Sequence, residues 1–294
     1  MEVIIMNDGM ILLNNNQYEK ILIQLKNVPF NTLFARAVLE SKVFGKVFVD
    51  NINKPKSIFI AHEYGMSLLF GDTENLEFNL ALKKYLLNEN KDRSNYEWLQ
   101  VYPEKWNDKL KELLNDKIIN YSKLLDNYSK SEADILTEKY RENHIIQWGR
   151  VNFIYKYIDK AIFSKSEYEI KLIDSEIYDR IEGSVIPKFF WKSKELFLSE
   201  GIGYALMNGD DIVSIAFSSC KFDNVLEIGV ETSEKYRNMG FANHVCQELL
   251  SYCKKNNYSP IWACRLENTG SYLLAKSLGF EDVITLPYYE LIKI

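Results

Sequence analysis

The chemistry this chain can do is concentrated in one short stretch, Tyr236-Arg237-Asn238-Met239-Gly240-Phe241-Ala242. An apolar run, Val225 to Thr232, precedes it and reads as a buried strand; a helix-period segment, Phe241 to Lys254, follows it. A strand, a short loop with Arg and Gly, and then a helix make an anion-binding arrangement. Amides at a helix start have no intrahelical acceptor and carry partial positive charge. Gly240 lets the main chain come close to a ligand, its neighbours aim amides at a diphosphate, and Arg237 adds a fixed charge with forked donors. On the strand, Glu227, Gly229 and Glu231 share one face, and Leu226, Ile228 and Val230 share the other.

The loop has the spacing Arg-x-x-Gly-x-Ala, and 26 residues after Ala242 comes Asn268, opening Asn268-Thr-Gly-Ser271-Tyr-Leu-Leu274-Ala275-Lys-Ser-Leu278-Gly279-Phe280. Here the chain resembles the GNAT acyltransferase superfamily. That superfamily is marked by an (Arg/Gln)-x-x-Gly-x-(Gly/Ala) loop and a later Asn…Leu…Gly-Phe helix, and both occur in order over roughly residues 165–294. Five further features, Phe190-Trp191, Glu231-Thr232, Tyr236-Arg237, Pro260-x-Trp262-x-Cys264 and Ala275, resemble the subgroup that includes zwittermicin A resistance acetyltransferase.

The resemblance implies an α/β (α+β) GNAT fold with a mixed central sheet and an acyl-CoA-dependent N-acyltransferase. It further implies acetyl-CoA (coenzyme A) as donor and a primary amine of a small molecule as acceptor, joined by direct attack in a ternary complex. It gives the diphosphate to Arg237, Asn238, Met239, Gly240, Phe241 and Ala242, with Asn243 reaching it by its amide. It gives the pantetheine arm to the strand edge at Val230 and Thr232, with Asn268 either serving the same arm or capping the last helix. An amine must lose a proton to attack, and a carboxylate in reach can accept it. The resemblance puts that role on Glu227 first and Glu231 second; the structural alternative is a strand carboxylate that pairs with a cation. Relatives commonly carry a Tyr seven residues after the Asn as general acid. Position 275 is Ala, which leaves Tyr272, one helical turn earlier, then Cys264 and Tyr288. Two other functions share these motifs: an aminoacyl-tRNA-dependent transferase of tandem GNAT type, and a non-catalytic acyl-CoA-binding sensor.

Composition narrows the field. The net charge of −5 lacks the basic surplus of a nucleic-acid-binding domain. His62, His144 and His244 have no partner at metal-ligand spacing, so no metal is expected. No Gly-x-Ser-x-Gly elbow or Walker loop occurs. Met1 to Leu13 is apolar but too short and too interrupted for a membrane span or a signal peptide. With Cys220, Cys246, Cys253 and Cys264 read as reduced core residues, a cytoplasmic location is expected. Acceptor identity and oligomeric state are not encoded in these motifs.

At 294 residues, two domains are expected. In the second, 165–294, strands are expected at 168–173, 203–207, 212–219, 226–232, 260–264, 283–286 and 288–292, with helices at 175–181, 187–198, 241–254 and 271–278. In the first, 1–160, the order is a helix at 32–39, strands at 46–49, 57–61 and 66–70, a helix at 76–87, a strand at 98–102 and a helix at 105–114. It repeats the order of the second half, so a degenerate GNAT-like copy is expected. Gly71-Asp72-Thr73-Glu74 replaces its phosphate loop, and two acids there repel phosphate. Residues 117–142 read as helical, and Asp159 to Glu167 as the linker.

Overall fold

A computed structural model describes residues 5–7, 9–91, 93, 96–156 and 168–292. The expected linker lies outside them. The chain divides into two compact units, Met1–Arg150 with Leu286–Ile294, and Val151–Thr285.

In the first unit the elements are β1 (Ile5–Asn7), β2 (Met10–Leu12), α1 (Glu19–Leu25), α2 (Leu33–Leu39), β3 (Gly45–Val49), β4 (Ser57–His62), β5 (Met66–Gly71), α3 (Leu76–Leu86), β6 (Trp98–Tyr102), α4 (Lys105–Leu114), β7 (Ile118–Asn120), α5 (Tyr121–Leu125) and α6 (Lys130–Tyr140), followed by the start of β8 (Ile145–Tyr155). Strands β2 to β5 form an antiparallel meander, and β6 joins β5 in parallel. The second unit holds the end of β8, then β9 (Glu169–Leu172), α7 (Ser175–Arg180), α8 (Lys194–Glu200), β10 (Gly203–Asn208), β11 (Asp211–Phe222), β12 (Val225–Thr232), α9 (Phe241–Lys255), β13 (Ser259–Arg265), α10 (Thr269–Leu278) and most of β14 (Phe280–Glu290). Strands β9 to β12 are antiparallel, and β13 is parallel to β12. Both units thus run an antiparallel meander, a helix and a parallel strand, as the repeated order predicts.

The observed boundary differs from the expected one. Residues 286–294 belong with the first unit because Tyr289 pairs with Leu99, and Tyr289 and Leu291 are buried among Phe78, Leu99 and Trp106. The two strands expected around Pro287 are one strand, β14; a strand accepts proline where its N–H would not enter a ladder. The span 117–142 is a short strand and two helices, because Asn120 and Ser129 each start a helix with a side-chain cap. The helix expected at 187–198 is a short turn at Pro187–Phe189 followed by α8, since Ser193 caps a new helix by accepting from Leu196 N–H.

The core of the second unit follows from α9. Its buried residues Phe241, Val245, Cys246, Leu249, Leu250 and Cys253 form one stripe. They pack on Leu226 and Ile228 of β12 and on Trp262 and Cys264 of β13. Each such apolar side chain contributes about 1.5–3 kcal/mol on burial. This stripe fixes where α9 begins, and therefore where its N-terminal amides lie relative to the end of β12. Trp262 is buried against Phe280, which agrees with a packing role.

Candidate active site

The second unit has an opening that the first lacks. Strand β12 pairs with β13 only at Val225↔Ser259, Leu226↔Pro260 and Glu227↔Ile261. Beyond Glu227, β12 runs on through Thr232 with its β13 side outside that ladder. In the first unit β5 and β6 stay paired from Met66↔Trp98 to Phe70↔Tyr102. The edge of β12 from Ile228 to Val230 lies outside that ladder, where an extended ligand can add as a strand does, whereas Glu231 O and Thr232 O already accept from Ser214 Oγ and Arg237 Nε.

The helix after each strand differs in the same sense. Asn75 caps α3, its side chain accepting from Phe78 N–H at 3.1 Å. At α9 the N-cap is Gly240, with φ 83° and ψ 2° and no side-chain cap. The first bond within α9 is His244 N–H to Gly240 O at 3.4 Å, so the amides of residues 241–243 precede it. A Cβ built on Gly240 would meet nothing within 4 Å. Glycine is needed there for its left-handed backbone and leaves open space above the helix start. Asn238 is also left-handed, at φ 63°, so the chain turns twice between Arg237 and Phe241. Met239 is exposed, whereas Phe241 is buried and packs on Tyr168 with ring centroids 4.6 Å apart. Ala242 is small and half-buried.

The remaining cofactor-side residues divide. Arg237 donates from Nε to Thr232 O at 3.2 Å and from Nη2 to Glu231 Oε1 at 3.4 Å, which holds its guanidinium beside the loop. Lys235 instead is tied to Asp211 at 2.6 Å. The side chain of Asn243 is engaged with helix neighbours, donating to Ser277 Oγ at 2.9 Å and accepting from Gln247 Nε2 at 2.6 Å. The side chain expected to reach the diphosphate is therefore held by protein partners, while the Asn243 amide precedes the first bond of α9. Asn268 is the N-cap of α10, its Oδ1 accepting from Ser271 N–H at 3.2 Å.

Glu227 is buried and lies beside a bulge in β11, where the register passes from Ser218↔Ile228 to Cys220↔Glu227. A bulge twists a strand pair and re-aims side chains. Burial pushes the Cys220 thiol well above its usual range, and the adjacent Glu227 carboxylate adds to the shift, so Cys220 is no nucleophile. On the same face Gly229 lies under the ring of Phe217, whose Cζ would be 2.6 Å from an added Cβ. Phe217 in turn meets Phe190 edge-on at 5.8 Å, and Trp191 donates from Nε1 to Ser218 O at 2.8 Å. The Phe190-Trp191 pair therefore covers the strand face that carries Glu227.

Glu231 does not share that setting. Its Oε2 accepts from Ser184 N–H at 2.9 Å, Ser184 Oγ at 3.0 Å and Val185 N–H at 2.9 Å. A carboxylate so engaged is poorly placed to take a substrate proton. Tyr272 packs edge-on to Phe153 at 5.5 Å. Its hydroxyl contributes to holding Asp282 below the usual carboxylate range, after the larger effect of the Lys276 hydrogen bond. The loop Gly183–Val185 carries one signal in the sequence, the Gly183-Ser184 pair after a short helix.

A short parallel strand pair beside an uncapped, glycine-started helix offers a strand edge to an extended ligand and a helix start to an anion. The chain belongs to the GNAT acetyltransferase family, whose family model matches residues 24–289. It is 27% identical over 256 residues to YdfB, an uncharacterised N-acetyltransferase of Bacillus subtilis (strain 168), covering 87% of this chain and 89% of that protein. Among solved structures it is similar to a GCN5-related N-acetyltransferase-like protein from Streptococcus suis 89/1591, with TM-score 0.63, 20% identity and coverage of 94% and 98%. It is also similar to a tandem GNAT protein from the clavulanic acid biosynthesis pathway, with TM-score 0.57, 7% identity and coverage of 95% and 97%. At those identities the structural likenesses speak for the fold alone. Among the described residues no helix is long and apolar enough to cross a membrane.

Proposed function

We propose that this acetyltransferase moves an acetyl group from acetyl-CoA to a primary amine of a small molecule by direct attack. The observation that carries the reading is the coincidence, in the second unit only, of a strand pair that ends after three residue pairs and a helix start with no side-chain cap. Acetyl-CoA, when bound, supplies the acetyl group as an activated thioester. The amides of residues 241–243 and the Arg237 guanidinium hold the diphosphate. The main-chain edge of β12 from Ile228 to Val230 holds the arm in extended form and orients the thioester carbonyl. Glu227, buried on the face covered by Phe190 and Trp191, accepts the proton that the amine loses. Tyr272 is not needed in this scheme. A thiol titrates near pH ~8.5, so a thiolate leaves without full protonation.

The five features shared with the zwittermicin A resistance subgroup support a place near it, and the edge-on contact of Phe190 with Phe217, together with the Trp191 hydrogen bond to Ser218 O, gives one of them a physical role. The four free, buried cysteines fit a reducing, cytoplasmic setting. The test is coenzyme A release from acetyl-CoA against amine antibiotics, polyamines and amino acids. Turnover with one class supports the proposal. Turnover with charged tRNA and none with acetyl-CoA favours the tandem aminoacyl transferase. Tight binding of acetyl-CoA without release across the panel favours the sensor.

A further inference from the structure

We propose that Glu231 is a positioning residue that ties the Gly183–Val185 loop to the cofactor loop through one carboxylate. The claim rests on the reading of residues 237–242 as the diphosphate site. Three donors converge on Oε2: the successive main-chain amides of Ser184 and Val185 and the Ser184 hydroxyl, all within 3.0 Å. Two consecutive amides on one oxygen form an anion nest, here filled by a side chain of the protein itself. The other oxygen, Oε1, receives Arg237 Nη2 at 3.4 Å, while Arg237 Nε stays on Thr232 O. Gly183 is fitted to this contact. Its φ is +138°, and an added Cβ would stand 2.6 Å from Glu231 Cγ and 2.9 Å from Oε2.

The loop so held leads directly into Ile186 and the Phe190-Trp191 pair that covers the Glu227 face. The side chain is little exposed, at 11%, so water replaces these donors poorly if the loop lifts. Glu231 therefore sets the loop over the acceptor face by the same group that braces Arg237. A diphosphate that orders Arg237 also steadies the brace, and with it the amides of residues 184 and 185.

Hydrogen exchange at the Ser184 and Val185 amides, followed by NMR with and without saturating coenzyme A, tests this, with coenzyme A affinity measured separately by calorimetry. In Glu231→Ala both amides lose their acceptor and exchange about 10- to 100-fold faster than in wild type. Glu231→Gln keeps an acceptor oxygen without the charge. It retains most of the protection and most of the activity, whereas a catalytic base would lose its function as fully in Gln as in Ala. Gly183→Ala, which leaves Glu231 in place, reproduces the Ala result and serves if Glu231→Ala does not fold. Coenzyme A slows exchange at both amides in wild type and has no such effect in Glu231→Gln, which lacks the tie to Arg237. Wild-type rates in Glu231→Ala and Gly183→Ala, or Gln as inactive as Ala, overturn the positioning role. Bound coenzyme A with unchanged exchange in wild type overturns the coupling and leaves the cofactor site standing. Failure of wild type to bind coenzyme A refutes the cofactor site itself, while the exchange rates of the variants still decide the clasp.

Discussion

Replacing Gly240 separates the fold from the ligand at a single position. A side chain there meets no protein atom within 4 Å, so its cost to folding is the left-handed backbone at φ 83°. That cost is roughly 1–2 kcal/mol for most residues and smaller for Asn and Asp. An aspartate also gains about 0.3–1 kcal/mol from the partial positive charge at the start of α9. Gly240→Asn and Gly240→Asp should therefore fold with stabilities within about 1 kcal/mol of each other. Toward coenzyme A they should differ widely. A carboxylate ~5 Å from a phosphate charge, at an effective dielectric constant of ~20, is repelled by roughly 3 kcal/mol, which is ~100-fold in affinity. Asn has nearly the same shape and lacks the charge, so it isolates the electrostatic part. Calorimetric titration with coenzyme A should give an Asp-to-Asn ratio of dissociation constants near ~100 at low ionic strength. The ratio should narrow as salt shortens the Debye length from ~30 Å at 0.01 M to ~3 Å at 1 M. Equal affinities for Gly, Asn and Asp, with all three proteins folded, would refute the placement of the diphosphate at this helix start.

Three further outcomes follow from named contacts. Glu227→Gln should lower turnover by about 100-fold or more with little change in coenzyme A affinity; turnover at the wild-type level would remove Glu227 as the base. Asn268→Ala should lose the cap on α10, about 1 kcal/mol, while Asn268→Asp keeps it; a melting point unchanged in Ala, or coenzyme A affinity lost in Ala despite a folded protein, would move Asn268 from cap to ligand contact. His62 in β4 is neutral, because burial lowers its pKa to about 3 and its Nδ1 accepts from Tyr64 N–H at 3.0 Å. The unfolded chain takes up a proton below pH ~6.5 and the folded chain does not, so stability is full above that pH. It should then fall by about 1.4 kcal/mol per pH unit down to about pH 3. Urea titrations between pH 7 and 4 should show a shallower slope in His62→Gln, and parallel slopes would show that His62 is not the group responsible.

The turn at residues 237–240 and the two motif helices were legible because their physics is local. Gly240 and Gly279 must be left-handed at a helix start and a helix end, and the α9 stripe repeats with the helical period. What the sequence hid is non-local. Nothing in Glu227 and Glu231, which share a strand face and a residue type, announces that one is buried beside a bulge and the other is clasped by a loop 46 and 47 residues away in sequence. Nor does the run from 283 to 292 reveal that Tyr289 pairs with Leu99. The two units differ at matching positions. The same order of elements appears twice, yet in the first unit Asn75 closes the helix start and the β5–β6 ladder closes the strand gap. Both closures remove groups that the proposed cofactor site uses: the cap takes one amide of the helix start, and the ladder takes the main-chain edge of the strand. The second unit lacks both, and that paired difference supports the proposed cofactor site over an accident of one loose strand.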